Sequence, residues 1–275
     1  MNAPHRIAAA LAAALVSMSY AQNAPDCQEG VDWVGRTVCA KGIGAVNPKQ
    51  PQAAARPGAI RSAQMTGLRH AIELVKGVSI NSSTTVANAM TTDDQINSKV
   101  EAYVKGFQFG QPHYMDDLTV EVYVKIPLDG ISDIVLPSSI QATPSVTTWG
   151  ASAPAAAPAR SAVYTGLVID ARGLGVLPAL APRILDADGK ELYGAALVSR
   201  EWALKYGMAG YAKSVDGARG LKDRIGENPA VIKAVRADGA AKTDLVLSAE
   251  DAASIRSATQ NLKFLSEARV VFVVD

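Results

Sequence analysis

The chain has 275 residues, of which 48% are apolar and 19% charged, and it carries 27 basic against 26 acidic side chains. This composition excludes an intrinsically disordered chain, and the length accommodates one large domain or two small ones. The nearly neutral charge does not indicate nucleic acid or an anionic membrane surface as a partner, so we expect neither.

The first 21 residues have the pattern of a secretory signal peptide. Arg6 precedes an apolar run at residues 7–18, and a small-x-small triplet ending at Ala21 fits a cleavage site. A transmembrane helix is the alternative, but the run is too short to cross about 30 Å of hydrocarbon. We therefore expect export to the periplasm, cleavage after Ala21, and at most a peripheral association with the outer membrane.

Two cysteines, Cys27 and Cys39, follow the predicted cleavage site. In an exported chain an even pair of cysteines indicates a disulfide. Closing so short a loop would stabilise the fold by about 2–3 kcal/mol. The alternative is a lipid anchor on Cys27, but Pro25 and Asp26 before it form a poor lipidation signal. We expect the disulfide, and the sequence leaves the lipidated form open.

Residues 22–135 predict an α+β domain built around a long helix. Between positions 56 and 77, apolar residues recur at the spacing of a helix with one buried stripe, and Gly77 predicts a left-handed C-cap. A hairpin is predicted from residues 106–114 and 118–126. Its second strand alternates apolar and polar residues, which indicates an antiparallel sheet with one buried face.

Residues 136–160 are rich in proline, alanine, serine and threonine, which predicts an extended linker between two domains. Residues 161–275 predict a second α+β domain with a strand at 164–173 and a hairpin at the Asp188-Gly189 turn. The apolar strand at 269–275 should lie inside a sheet or against a partner, because it would aggregate if left bare. The expected fold class is α+β, with helices packed on a largely antiparallel sheet in each domain.

No pattern of residues indicates catalysis, a cofactor or a metal. His70 and His113 each lack a second ligand at the spacing that a zinc site needs. The Gly-x-Gly pairs at residues 42–44 and 173–175 begin dinucleotide-binding patterns whose third glycine is absent. Residues 186–189 resemble the start of a calcium loop, but the glycine comes too early. We therefore expect a protein that is not an enzyme, with no catalytic residue, cofactor or metal ligand.

Two segments instead suggest contacts with other proteins. The hydroxyl-rich run at residues 82–85 is either a solvated loop or an edge strand open to a neighbour. The proline-spaced apolar segment at residues 172–182 is either a contact surface or a loop packed on its own domain, and both interpretations are equally supported. As a contact surface it would present Arg172, Leu174, Val176, Leu177 and Leu180.

Residues 61–83, Gly106 and the strand at 118–126 with the Pro-Leu pair after it resemble the bacterial LPP20 lipoprotein family. That family includes the flagellar outer-membrane-associated protein FlgP and, more distantly, the N-terminal part of FlgT. Residues 164–184 are similar to the C-terminal extension of longer relatives. The resemblance implies an exported, non-catalytic protein that builds or supports rings around a rotary motor or a related envelope machine. The poor lipidation signal departs from the lipoprotein members and favours a soluble periplasmic role.

We therefore expect a structural or assembly protein of the cell envelope that forms homo-oligomers and has envelope proteins as partners. The alternative is a periplasmic module that binds a peptide or an envelope polymer through residues 172–182. Assembly predicts large oligomers, whereas a binding module predicts a monomer.

Overall fold

The computed structural model describes residues 27–107, 109–136, 164–257 and 261–275. These residues form a mixed α+β fold with three four-stranded sheets. Within these ranges, no helix combines the length and the apolar character needed to cross a membrane. The predicted signal peptide, and the predicted linker beyond Leu136, lie outside the described residues.

The first domain contains one sheet, and every strand pairing in it is antiparallel, as predicted. The hairpin expected near residue 115 is also present, although its first strand is only two residues long. Its elements are β1 (Gly30–Asp32), β2 (Thr37–Ala45), α1 (Gln52–Lys76), α2 (Val86–Thr92), α3 (Asp94–Lys105), β3 (His113–Tyr114), β4 (Thr119–Pro127) and α4 (Leu128–Val135). The strand order is β1-β2-β4-β3.

Helix α1 is longer than predicted and ends differently. It begins four residues before the expected start at position 56, and Pro57 lies inside it. Gly77 follows the helix with a φ of −72°, so the predicted left-handed C-cap is wrong. The apolar stripe of the helix nevertheless faces the sheet, because Ala71 and Val75 are fully buried in the same core as Val38 and Ala40 of β2.

Glycines allow α1 to lie directly against β2. A Cβ atom built on Gly42 would lie 1.9 Å from the carbonyl oxygen of Ala63, and one built on Gly44 would lie 2.0 Å from that of Ala59. Any side chain at these positions would therefore push the helix off the sheet. The glycine pair that begins a dinucleotide-binding pattern serves here to bring two backbones into contact.

The second domain contains two sheets. Its elements are β5 (Gly166–Asp170), β6 (Ile184–Leu185), β7 (Glu191–Tyr193), α5 (Arg200–Tyr206), β8 (Gly210–Ala212), α6 (Val215–Arg219), α7 (Lys222–Ile225), β9 (Pro229–Lys233), β10 (Arg236–Asp238), β11 (Asp244–Val246), α8 (Ala249–Ser257), α9 (Asn261–Ser266) and β12 (Val270–Val273). One sheet has the order β8-β12-β5-β9, and the other has the order β10-β11-β6-β7.

The prediction of a largely antiparallel sheet is wrong for this domain. Strand β12 pairs in parallel with β5 and β8, and β5 pairs in parallel with β9. All four residues of β12, and four of the five in β5, are buried. Strands of a parallel sheet covered on both faces lose the alternation of apolar and polar residues, and these two strands have lost it. The expectation that the last strand lies inside a sheet is confirmed.

The two domains share their apolar cores across an interdomain seam. Leu136, at the end of the first domain, is 4% exposed in the core of the second, and Leu180 of the second domain is 5% exposed in the core of the first. The backbone N–H groups of Leu180 and Ala181 donate hydrogen bonds of 2.9 Å and 2.7 Å to the carbonyl oxygens of Ser79 and Ile80. The two domains are therefore packed as one unit at this seam.

Candidate functional site

The predicted disulfide is confirmed: Cys27 and Cys39 are bonded, with their Cα atoms 6.0 Å apart. Cys39 lies in β2 and is 2% exposed. The bridge therefore attaches the segment before β1 to a buried position of the sheet. It also braces the β1–β2 hairpin, whose turn carries the first domain into the interdomain seam.

The turn between β1 and β2 places Trp33 and Arg36 in the seam. The side chain of Asp32 accepts hydrogen bonds of 3.0 Å and 2.9 Å from two backbone N–H groups of the turn, which fixes its shape. Arg36 leaves the turn with a left-handed φ of 52°. Trp33 packs edge to face on Tyr211 of β8, with ring centroids 5.5 Å apart.

The Trp33–Tyr211 contact separates two cavities, and both rings line both of them. The larger cavity, of about 540 Å³, lies at the carboxyl ends of β8 and β12 and is bounded by residues 175–178. In open sheets with parallel strands, ligands commonly bind at this end. The smaller cavity, of about 330 Å³, lies at the opposite end of β8. The seam therefore offers two possible binding sites.

Charged groups beside the larger cavity are held in place by hydrogen bonds and one ion pair. The carboxylate of Asp275 accepts hydrogen bonds of 2.9 Å and 3.1 Å from the backbone N–H of Gly173, and the Lys213 amine donates to the Asp275 carbonyl. Arg172 forms an ion pair of 2.7 Å with Asp170, and its guanidinium holds the pKa of that carboxyl below the ordinary value. These pairs fix the shape of the cavity rim.

The five predicted contact residues divide between the interior and the surface. Val176 and Leu180 are buried, and Leu174 is partly buried against the core of the second domain. Leu177 is 56% exposed, and the side chain of Arg172 is 46% exposed. Most of the segment therefore packs within the molecule. Leu177 and Arg172 remain available to a partner.

The hydroxyl-rich run also meets the seam. Ser82 is 6% exposed, and its carbonyl oxygen accepts a hydrogen bond of 3.0 Å from the N–H of Ala241. The Arg183 guanidinium donates to the Ser82 hydroxyl at 3.3 Å and to the carboxylate of Asp244 at 2.6 Å. Asp244 is fully buried. The first residue of this run is therefore part of the interdomain contact, whereas Ser83 faces solvent.

Arg224 is a deeply buried charged residue in the wall of the smaller cavity. It is 8% exposed, and its guanidinium donates hydrogen bonds to the carbonyl oxygens of Val270 at 2.9 Å, Gly207 at 2.8 Å and Tyr206. No carboxylate of the described chain lies within 4.0 Å of it. Burial lowers the pKa of Arg224 to about 10, so the side chain is still charged at neutral pH.

Among the described residues, neither His70 nor His113 belongs to a group of side chains that could hold a metal ion. Across the described ranges, no three His, Cys, Asp or Glu side chains come close enough together to hold a metal ion. The Nδ1 atom of His70 lies 3.1 Å from the carboxylate of Glu29 and 3.3 Å from the carbonyl oxygen of Lys41. His113 packs edge to face on Tyr123. That the protein has no metal, cofactor or catalytic residue stays a prediction.

Sequence analysis missed the seam residues Trp33, Arg36 and Arg224. A tryptophan two residues before a glycine, in a turn between strands, is a signal for a docked side chain, and it could have drawn attention to Trp33. Arg224 carries no such signal, because its carbonyl partners come from positions about 17 to 46 residues away in the chain.

Comparison with known proteins finds a similarity in the second domain. Residues 166–275 match the family described as Treponema pallidum Tp0624, second domain. The match begins at the first residue of β5 and includes every later element, so it lies wholly within the second domain. No curated protein matches the chain. The second domain is therefore similar to a domain of a treponemal protein, and the LPP20 resemblance of the first domain stays a prediction.

Proposed function

We propose that this chain is an exported, non-catalytic assembly protein of the cell envelope that self-associates. The flagellar ring proteins of the LPP20 family, which it resembles in sequence, give the specific form of this role. The observation that carries the proposal is one open edge of the parallel sheet, at β9.

The two edges of that sheet differ. All three residues of β8 are buried, and Trp33 of the first domain packs on Tyr211 in its middle. Strand β9 has no partner on its outer side among the described strands. Its Val231 is 41% exposed, and Val235 just after it is 58% exposed. Such an edge presents unpaired N–H and C=O groups on which another strand can form.

The ends of β9 restrict that pairing. Pro229 begins the strand and has no N–H to donate, and Lys233 ends it with an exposed charge. Both residue types discourage unlimited strand addition. They favour a short, specific contact centred on Val231. The packed seam and the disulfide support the same role, since a component of an assembly in an oxidising compartment benefits from a rigid subunit.

Native mass tests this proposal directly. We expect residues 22–275 to form oligomers by light scattering after size exclusion, and rings or arrays in negative stain. Val231→Lys should shift the main species to monomer, because a charge at the centre of the edge opposes strand addition. Met65→Lys is the matched control, since Met65 is 56% exposed and belongs to helix α1 and not to a strand. If the wild type has the mass of a monomer at every concentration, the proposal is wrong.

The larger cavity favours a second candidate, a module that binds a peptide or an envelope polymer. Leu177 lines this cavity and is 56% exposed, so it could contact a ligand that enters it. The test is co-sedimentation with purified peptidoglycan. We expect binding by the wild type and by Met65→Ser, and loss of binding by Leu177→Ser. Equal binding by both variants would exclude this cavity as the site.

A further inference from the structure

We propose that the smaller seam cavity binds an oxyanion, a carboxylate or phosphate group carried by a small molecule, between Arg36 of the first domain and Arg224 of the second. This inference concerns a different surface from the β9 edge and does not depend on self-association.

The cavity wall has more positive than negative charge. The side chains that line it include Arg36, Lys205, Lys222 and Arg224 on the basic side, and Asp129 and Asp223 on the acidic side.

Two of those positive charges already have carboxylate partners. Asp129 accepts a hydrogen bond of 2.8 Å from Nε of Arg36, and Lys222 donates at 2.8 Å to Glu227. Lys205 instead lies over the ring of Tyr206, 5.1 Å from its centroid. The positive charges of Lys205 and Arg224 therefore have no carboxylate partner in the part of the chain that the structure describes.

The two arginines meet at Gly207. A Cβ atom built on Gly207 would lie 2.0 Å from Nη1 of Arg36, so the Arg36 guanidinium lies directly against this glycine. The carbonyl oxygen of the same glycine accepts the 2.8 Å hydrogen bond from Nη2 of Arg224. Two cations that line the cavity thus approach the same glycine. Their repulsion adds to burial in lowering the pKa of Arg224. A bound anion would relieve it.

The geometry also provides hydrogen-bond donors for that anion. A guanidinium carries five N–H groups, and Arg224 uses only part of them on its three backbone carbonyls. Charge-assisted hydrogen bonds from arginine suit the paired oxygens of carboxylate and phosphate. The rings of Trp33, Tyr206 and Tyr211 line the rest of the cavity and would pack against an apolar remainder of the ligand. The cavity volume of about 330 Å³ suits a small molecule.

The first experiment is thermal unfolding of residues 22–275 with inorganic phosphate, succinate or sodium chloride at matched ionic strength. We expect phosphate, succinate or both to raise the Tm saturably above chloride, because a ligand bound only by the folded state stabilises it. The anion that acts distinguishes a phosphate-bearing from a carboxylate-bearing ligand. Calorimetric titration should give one site per chain. Equal Tm values in all three salts would overturn the proposal.

The second experiment places the site. Arg36→Asn removes the charge but keeps a residue that tolerates the left-handed φ of 52°. We expect Arg36→Asn to weaken anion binding by about tenfold or more, because that is the affinity lost with one charged hydrogen bond. Arg200→Gln is the matched control, because Arg200 pairs with Asp133 across the seam at 3.1 Å and does not line the cavity. Unchanged affinity in Arg36→Asn, or an equal loss in the control, would overturn the proposal.

A third variant covers the case in which Arg36→Asn does not fold. Lys205 is exposed, so Lys205→Gln should leave the fold intact. It should reduce the affinity by about twofold to fivefold, as expected for an exposed charge near the ligand. No change in affinity would exclude Lys205 and this cavity.

Discussion

The two domains achieve close packing by opposite means. In the first, α1 touches β2 backbone to backbone, because Gly42 and Gly44 place no side chain between them. In the second, large apolar side chains fill the space around a parallel sheet, and Leu167, Ile169 and Phe272 are all fully buried. Close packing in the first domain therefore requires that Gly42 and Gly44 have no side chain, whereas close packing in the second requires large apolar side chains.

The domains also differ in what polar groups they bury. Of the charged side chains buried in the described residues, Asp186, Arg224 and Asp244 all belong to the second domain. The buried polar residues of the first domain are the serines Ser82 and Ser132. A buried charge needs a partner that is itself charged or well oriented. We therefore expect acid to affect the second domain more than the first.

Removing side-chain atoms should damage the second domain most. Phe272→Ala in the central strand β12 should lower the free energy of unfolding by about 3–5 kcal/mol, because it leaves a cavity in a closed core. Val231→Ala on the exposed edge β9 is the control and should cost less than about 1 kcal/mol. Urea unfolding of both variants measures the difference. Similar losses would mean that the edge strand β9 is packed as tightly as the central strand β12.

The sequence predicted the first domain better because its signals are local. Alternation along β4 indicated the antiparallel sheet, and an even pair of cysteines in a chain expected to be exported indicated the disulfide of Cys27 and Cys39. The parallel sheet of the second domain was missed, since strand direction depends on which distant strands become neighbours. The apolar run of β12 signalled burial on both faces but not the direction of its partners.

The seam could not be predicted for a related reason. The apolar character of residues 172–182 is visible in the sequence. Whether Leu180 faces a partner or the other domain depends on how the domains pack. The donors of Arg224 reach three carbonyls from two distant segments, Tyr206 and Gly207 at the end of α5 and Val270 at the start of β12. No spacing in the sequence brings those groups together. Sites built between domains are therefore the part of this molecule for which the structure was needed.

Adding one atom should damage the first domain. Gly42→Ala places a Cβ 1.9 Å from the carbonyl oxygen of Ala63, and because that atom belongs to the helix backbone, α1 must move. We expect a loss of about 3 kcal/mol, the upper part of the usual range for overpacking. Gly58→Ala is the matched control, because Gly58 lies within α1 and a Cβ added there meets nothing within 4 Å. It should stabilise by about 0.5–1 kcal/mol. Equal effects in thermal unfolding would contradict the backbone contact.

The smallest expected effect concerns the buried carboxylate of Asp186. Burial by itself raises the pKa of Asp186, but the hydrogen bonds from Arg256 and from the backbone N–H of Lys190, at 2.8 Å, outweigh it. The pKa in the folded protein therefore lies below the ordinary value of 3.8. A carboxyl of this kind stabilises the fold fully above its ordinary pKa, and the stabilisation disappears as the pH falls through the lower folded value.

Asp186→Asn should test this difference between the domains. At neutral pH we expect the variant to lose about 1–2 kcal/mol, because a charge-assisted hydrogen bond from Arg256 becomes a neutral one. The gap in Tm between wild type and variant should stay constant down to about pH 5 and close as Asp186 becomes protonated below its ordinary pKa of 3.8. Asp116→Asn makes the same change in charge at an exposed turn of the first domain. If the Tm difference from wild type closes equally in both variants, the effect follows net charge. If it closes only for Asp186→Asn, the acid-sensitive ion pair lies in the second domain.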